Sequence, residues 1–141
     1  MQRINGIIQH HDVFDFTRLF NAEKGKYIGI DSNDYYAFLE SGNEIHSFIG
    51  KGSGRDRVSA AVMSALRSDL AATLMRRTVS VMLTIIHSPD SGRPITVSET
   101  EFISEFVGQL PSECAFVWHT SADASMGSDI TAVVLLDVRA L

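Results

Sequence analysis

The sequence has one cysteine and no long apolar run. Cys114 is alone among 141 residues, so it can form no intrachain disulfide, and this cysteine usage predicts a cytoplasmic protein. Because Cys114 lies in the apolar run CAFVW, we interpret it as an inert core thiol. No stretch reaches the roughly 18 apolar residues that a membrane helix needs, and the N-terminal residues lack the apolar core of a secretory signal. We therefore expect neither membrane insertion nor secretion.

The chain also has little positive charge. Its 12 Lys and Arg residues are outnumbered by 17 Asp and Glu residues, which gives a formal net charge of −5. A dominant nucleic-acid-binding surface is therefore not expected. Hydrophobic residues make up 45% and charged residues 21% of the sequence, a composition that is typical of a globular protein and not of a disordered one. The length suits one domain, or one small domain with an extension.

No phosphate-binding loop of the GxxxxGK[ST] type occurs in the sequence. The glycine cluster Gly50-Lys51-Gly52-Ser53-Gly54 has two interpretations. It could cradle a phosphate together with the N-terminus of the following helix, or it could be a strand-to-helix connection that needs positive φ angles. We predict no cofactor from these residues.

Apolar periodicity indicates alternating strands and helices from residue 45 onward. Strands are predicted where β-branched and apolar residues cluster, and helices where apolar residues recur every three or four positions. A capping box, formed by Thr96 with Glu99 or by Ser98 with Glu101, is expected to start the second helix. The predicted elements are a strand at 45–50, a helix at 55–70, a strand at 79–86, a helix that ends before Pro111, and strands at 114–120 and 130–138.

This order of elements, β-α-β-α-β-β, predicts an α+β two-layer sandwich. Two helices are expected to cover one face of a four-stranded mixed sheet. The last two strands share a short connection, so we expect them to pair antiparallel. We place this domain at residues 45–141.

Residues 1–44 are predicted to form an N-terminal extension or insertion. Apolar residues at helical spacing predict a short amphipathic helix over residues 12–21. The part from 22 to 44 is rich in aromatic residues that suit either a protein interface or a small satellite core. These aromatic residues are Tyr27, Tyr35, Tyr36 and Phe38.

The segment HHDVFDF, residues 10–16, places two carboxylates beside two histidines. It could be a metal site, an acid/base pair or the first turn of a helix. Adjacent side chains of an extended chain point in opposite directions, so His10, His11 and Asp12 converge on one metal ion only with difficulty. As a helix start, Asp12 would be the N-cap and Asp15 the third helical residue, where carboxylates satisfy free N–H groups. The residues alone favour the helix start.

Three further side-chain types have a structural interpretation. His46 alternates with Ile45 and Ser47 and is expected on the solvent face of its strand. Trp118 is expected to pack in the core or on a sheet face. Solvation or pairing with a carboxylate, and not a nucleic-acid-binding patch, is expected for Arg55, Arg57, Arg76 and Arg77.

The chain from residue 45 to about 138 resembles the C-terminal domain of the bacterial tubulin-like cell-division GTPase FtsZ. A strand runs into a glycine-rich turn, a small-residue helix ends in Ser-Asp-Leu, and an aspartate, a bulky residue, a glycine and an acidic residue precede the last strand. The residues that carry the resemblance are Gly50 to Gly54, Arg55-Asp56-Arg57, Ser68-Asp69-Leu70, Asp123 and Met126-Gly127-Ser128-Asp129.

The resemblance extends to the first motif. A loop of the form Asn-x-Asp-Phe-x-Asp precedes this domain in the family and enters the nucleotide site of the next subunit in a filament. Asp12 and Asp15 match its two aspartates, whereas His10 stands at the asparagine position, which is a departure. The family's Gly-Gly-Gly-Thr-Gly-Thr-Gly signature is not found in these 141 residues.

The resemblance thus implies a non-catalytic interaction domain of cell division and filament assembly. It would contact an FtsZ/tubulin-like GTPase or a second copy of itself, and offer Asp12 and Asp15 to the partner's GTP site. An alternative is a small-molecule-binding regulatory α+β domain. A further alternative is an assembly protein that binds through residues 22–44. The candidate interface residues are His10, Asp12, Asp15, Tyr35, Tyr36 and Phe38.

Overall fold

The computed structural model describes residues 7–10, 44–88, 94–123 and 127–139. Within these ranges the chain forms five strands and three helices. The strands are β1 (Ile7–His10), β2 (Glu44–Gly52), β3 (Thr78–His87), β4 (Ala115–Ala122) and β5 (Ile130–Val138). The helices are α1 (Arg57–Ala65), α2 (Asp69–Met75) and α3 (Val97–Gly108).

The strands form one mixed sheet in the order β1-β2-β5-β3-β4. Strand β5 is antiparallel to both of its neighbours, β2 and β3. The outer pairs, β1 with β2 and β4 with β3, are parallel. The α+β class, the mixed sheet and the element order from residue 45 are therefore as the sequence predicts. The short strand β1 adds a fifth strand at one edge.

The pairing expected for the last two strands is wrong. Strand β4 pairs with β3, and β5 lies between β2 and β3. All nine positions of β5 are buried, whereas β4 has several exposed positions. Seven of the nine residues of β5 are apolar, and such a strand gains most from a central place with neighbours on both sides, here between β2 and β3. The connection of seven residues between β4 and β5 is long enough to pass β3, because two strand spacings are only about 9.6 Å.

The helix predicted over residues 55–70 is two helices. α1 ends at Ala65, and the Ser68 hydroxyl accepts a hydrogen bond from the Ala71 N–H at 3.1 Å, which makes Ser68 the N-cap of α2. A serine at this position competes with a continuous helix, because its hydroxyl satisfies a free N–H of a new first turn. α3 begins with the capping box of Thr96 and Glu99, one of the two capping boxes that the sequence allows.

The hydrophobic core lies between the helices and one face of the sheet. α1 contributes an apolar stripe to this core, and α3 contributes Ile103 with partly buried phenylalanines beside it; the residues of the α1 stripe are Val58, Ala61, Val62 and Ala65. The opposite face of the sheet is buried as well, through Ile45, Met82, Val133 and Leu135 among others. Every described helix packs on the first face, as expected for a two-layer sandwich. None of the described helices is long and apolar enough to cross a membrane.

The short helix predicted over residues 12–21 lies outside the described residues, as do nearly all of residues 1–44. The division into an extension at 1–44 and a domain at 45–141 stays a prediction. One observation bears on how the two are joined: β1, from the first part, pairs with β2, the first strand of the second.

Candidate functional site

Strand β1, at the edge of the sheet, ends at the first residue of the segment HHDVFDF. His10, the last residue of β1, is in register with Ser47 of β2. Asp12 is the second residue after this strand. The candidate residues Asp12, Asp15, Tyr35, Tyr36 and Phe38 lie outside the described residues, so their roles stay predictions. What the structure provides is the position of the strand that precedes the motif.

The glycine cluster is part of a strand that packs directly on a helix. β2 continues through Gly50 to Gly52, so the connection to α1 is shorter than the sequence indicates. A Cβ atom on Gly50 would lie 2.1 Å from the Ala61 carbonyl oxygen, and one on Gly52 would lie 1.9 Å from the Arg57 carbonyl oxygen. The two glycines therefore let the backbone of α1 approach β2. Of the three glycines in this cluster, Gly54 alone, with φ of 78°, has the positive φ of a turn glycine.

Arg57, at the start of α1, is the most enclosed charged side chain of the described part of the chain. It is 1% exposed. Its Nε donates a hydrogen bond to Glu99 Oε2 at 2.6 Å, and its Nη2 donates to Glu99 Oε1 at 3.1 Å. This is the bidentate geometry that makes arginine–carboxylate pairs strong and directional. Of the two outcomes that the sequence allows for Arg57, pairing with a carboxylate is the one observed.

The same guanidinium holds two loops. Nη1 donates to the Ser128 carbonyl oxygen at 2.9 Å, and Nη2 donates to the Pro94 carbonyl oxygen at 3.1 Å. Glu99 is also the third residue of the α3 capping box, since its carboxylate accepts the Thr96 N–H at 3.0 Å. We name this cluster of Arg57, Glu99, Pro94 and Ser128 the arginine clamp. It ties the first turns of α1 and α3 to the loop that precedes β5.

The arginine clamp fixes the charge state of its carboxylate. The hydrogen bonds from Arg57 hold the pKa of Glu99 below its ordinary value, against the opposing effect of burial. A carboxyl group held by a buried guanidinium in this way stays ionised at neutral pH. The clamp positions backbone segments, and we assign it no chemical step.

The sequence also predicts the burial of His46, Trp118 and Cys114, and the structure differs from these predictions at His46 and Trp118. His46 is 8% exposed, so its predicted position on a solvent face is wrong: both faces of the sheet are buried at β2. Trp118 is 37% exposed and lies on the edge strand β4, so of its two expected places, the core and a sheet face, only the core is wrong. Cys114 is partly buried beside the core, and burial raises the pKa of its thiol, which fits an inert cysteine.

Metal binding finds no support in the part of the chain that the structure describes. There, no three His, Cys, Asp or Glu side chains come together as a metal ion requires. His10, His11 and Asp12 are not covered by this statement, since their side chains lie outside the described residues.

Comparison with solved structures identifies the fold. A tryptophan-to-tyrosine mutant of FtsZ from M. jannaschii matches 81% of this chain with a TM-score of 0.62 at 18% sequence identity. The chain has the fold of about one third of FtsZ. An empty FtsZ dimer from the same organism matches 80% of the chain with a TM-score of 0.58 at 20% identity. The resemblance seen in the sequence is confirmed at the level of fold.

The match to FtsZ is partial. This chain spans 33% and 32% of the two FtsZ chains, which is consistent with an FtsZ-like C-terminal domain. No protein-family model matches the sequence, and no curated protein matches it either. Identities of 18% and 20% establish the architecture and leave activity and partners to be argued from the residues.

Proposed function

We propose that this domain is a non-catalytic, FtsZ-like interaction domain that docks on an FtsZ/tubulin-type GTPase or on a second copy of itself. In this proposal Asp12 and Asp15 are presented to the partner's GTP site. The observation that carries the proposal is the match to one third of FtsZ, since a domain that shares the fold of part of FtsZ could present comparable surfaces to a partner.

The position of β1 supports this role. The chain enters HHDVFDF directly from a strand that is hydrogen-bonded to β2, so the start of the motif is anchored to the sheet edge. An anchored segment loses less conformational entropy on docking than a free one. Carboxylates held beside a γ-phosphate can orient the attacking water, which is the chemistry that Asp12 and Asp15 would supply.

The proposal assigns no GTP hydrolysis to these 141 residues alone. They contain neither a GxxxxGK[ST] loop nor the glycine-rich signature of the family, and these motifs are what supply the backbone N–H groups that hold the phosphates of a nucleotide. The glycines of β2 are already in contact with α1. The nucleotide would therefore come from the partner.

We expect this protein to change GTP turnover by the FtsZ of its own cell. With FtsZ held constant, added wild-type protein should alter the steady-state rate in a saturable way, and Asp12→Asn/Asp15→Asn should remove about 90% or more of that change. The reason is that a positioned catalytic group contributes roughly 100-fold or more to a step. Phosphate release with and without the protein is the measurement.

The matched control is Glu101→Gln/Glu105→Gln. These carboxylates lie on the exposed side of α3, so the variant removes the same charge from a different surface. It should act as wild type does. If the Asp12/Asp15 variant alters turnover as strongly as wild type, the two aspartates have no role in the partner's site.

A further inference from the structure

A second site is suggested by a cavity at the opposite end of the sheet from the arginine clamp. The cavity has a volume of about 320 Å³. It lies where β3 begins and β5 ends, and the α3–β4 loop closes its other side. The lining residues that matter here are Arg76, Arg77, Arg139, Ser112, Glu113 and Cys114.

Backbone contacts hold the cavity walls in place. The Arg139 N–H donates to the Arg77 carbonyl oxygen at 2.9 Å, and Arg77 Nη1 donates to the Arg139 carbonyl oxygen at 2.9 Å. In the facing loop, the Cys114 N–H donates to the Pro111 carbonyl oxygen at 3.1 Å and closes a tight turn. The cavity is thus lined by segments with fixed backbone positions, as ligand sites are.

The charge of this cavity is opposite to that of the chain. Three guanidinium groups and one carboxylate, Glu113, line it, in a chain whose net charge is −5. Among the described residues, none of these three arginines has an ion-pair partner within 4.0 Å. Arg76 and Arg139 are exposed and Arg77 is partly buried, so an anion can reach all three guanidinium groups from solvent, and its charge would offset the repulsion among them.

We propose that this cavity binds a phosphate group, either as inorganic phosphate or as the phosphate of a small phosphomonoester. Three arginines facing one carboxylate leave an excess of two positive charges, which matches a phosphate dianion. Planar guanidinium groups bind phosphate oxygens through paired N–H donors. A volume of about 320 Å³ is at the lower end of small-molecule sites. This site does not depend on the proposed docking function.

The test is isothermal titration of the full chain with inorganic phosphate and with glycerol phosphate, at constant ionic strength. The variant Arg76→Gln/Arg139→Gln removes two of the guanidinium groups and leaves the backbone bonds of Arg139 intact. Arg77 is kept because its side chain supports the cavity wall. The control Arg55→Gln/Arg67→Gln removes the same charge from exposed arginines outside the cavity.

We expect saturable binding of at least one of the two phosphate compounds. The cavity variant should bind at least about tenfold more weakly, since it loses two of the three charged donors, and the control should bind as wild type does. Glu113→Gln removes the opposing carboxylate and should bind about threefold more tightly. Tighter binding of glycerol phosphate than of inorganic phosphate would identify the ester as the ligand class, and equal binding would identify the free anion.

Cys114 gives an independent readout of where the anion sits. It lines the same cavity, so alkylation of its thiol should be slower in saturating phosphate. The proposal is overturned if neither phosphate compound binds saturably, if both arginine variants lose affinity equally, or if bound phosphate leaves the alkylation rate of Cys114 unchanged. Binding of an acidic peptide without binding of phosphate would overturn it as well.

Discussion

Gly52→Ala is expected to destabilise the domain by about 3 kcal/mol or more, which is a large part of the stability of a typical domain. The added Cβ would lie 1.9 Å from the Arg57 carbonyl oxygen and 2.7 Å from the Ala61 N–H nitrogen. Both are backbone atoms, so no side-chain rotation relieves the clash. The helix has to move away from β2, and its core residues move with it.

This displacement also loosens the arginine clamp, because the carbonyl oxygen that clashes with the new Cβ belongs to Arg57, whose guanidinium binds Glu99. The effect on stability is therefore expected to exceed that of ordinary overpacking. Chemical denaturation of wild type and Gly52→Ala, followed by circular dichroism, gives the difference in the free energy of unfolding.

The chain provides two glycine controls for this experiment. A Cβ on Gly108, at the end of α3, meets nothing within 4 Å, so Gly108→Ala should be neutral or stabilise by up to about 1 kcal/mol. Gly54 also has open space but φ of 78°, so Gly54→Ala should cost about 1–2 kcal/mol. If Gly52→Ala is no worse than Gly54→Ala, the close approach of α1 to β2 is wrong.

Arg57→Met is expected to destabilise the domain by about 3–5 kcal/mol, the cost of leaving one member of a buried ion pair without its partner. The loss has two physical sources. Glu99 keeps a largely enclosed carboxylate, and the carbonyl groups of Pro94 and Ser128 lose their donors. Thermal or chemical unfolding of the variant measures the loss.

A double variant separates the ion pair from the rest of the clamp. Arg57→Met/Glu99→Met removes both charges, so we expect it to be more stable than Arg57→Met alone. It should still be less stable than wild type, because the capping box and the two loop contacts are lost. The variant Glu99→Met alone gives the cost of losing that side chain. If the double variant is less stable than Arg57→Met by this same cost, the two side chains act independently and the clamp is not a unit.

The pH dependence of the clamp follows from the lowered pKa of Glu99. Its contribution to stability is complete above the ordinary glutamate pKa of 4.5 and is lost as the pH falls through the lower pKa of the folded state. The difference in the free energy of unfolding between wild type and Glu99→Gln should therefore shrink as the pH falls below about 4.5. A difference that stays constant over this range would show that Glu99 is not ionised in the clamp.

Local patterns in the sequence identify most of the secondary structure. The stripe of α1 and the capping box of α3 depend on residues three or four positions apart, which lie next to each other on a helix. The position of β5 cannot be obtained in this way. In the sequence, the short connection favours a hairpin of β5 with β4. The central position of β5 is seen in the structure, where all nine of its residues are buried.

The arginine clamp cannot be predicted from local sequence patterns either. Arg57 and Glu99 are 42 positions apart, and Arg55, a neighbour of the same type, is exposed. The close contact of β2 with α1 is visible in the sequence pattern. Gly50 and Gly52 fall on one side of a strand, and Ala61 and Ala65 fall on one stripe of a helix. Two small surfaces at such spacings predict a close strand–helix approach.

The measurement that most directly tests the proposed role is sedimentation velocity of this protein with FtsZ from the same cell, in the presence of GTP. We expect a saturable complex in which this protein sediments with FtsZ, at concentrations where it sediments at its own rate without FtsZ. Sedimentation of this protein as a monomer, separate from FtsZ under conditions in which FtsZ itself assembles, would contradict the proposal.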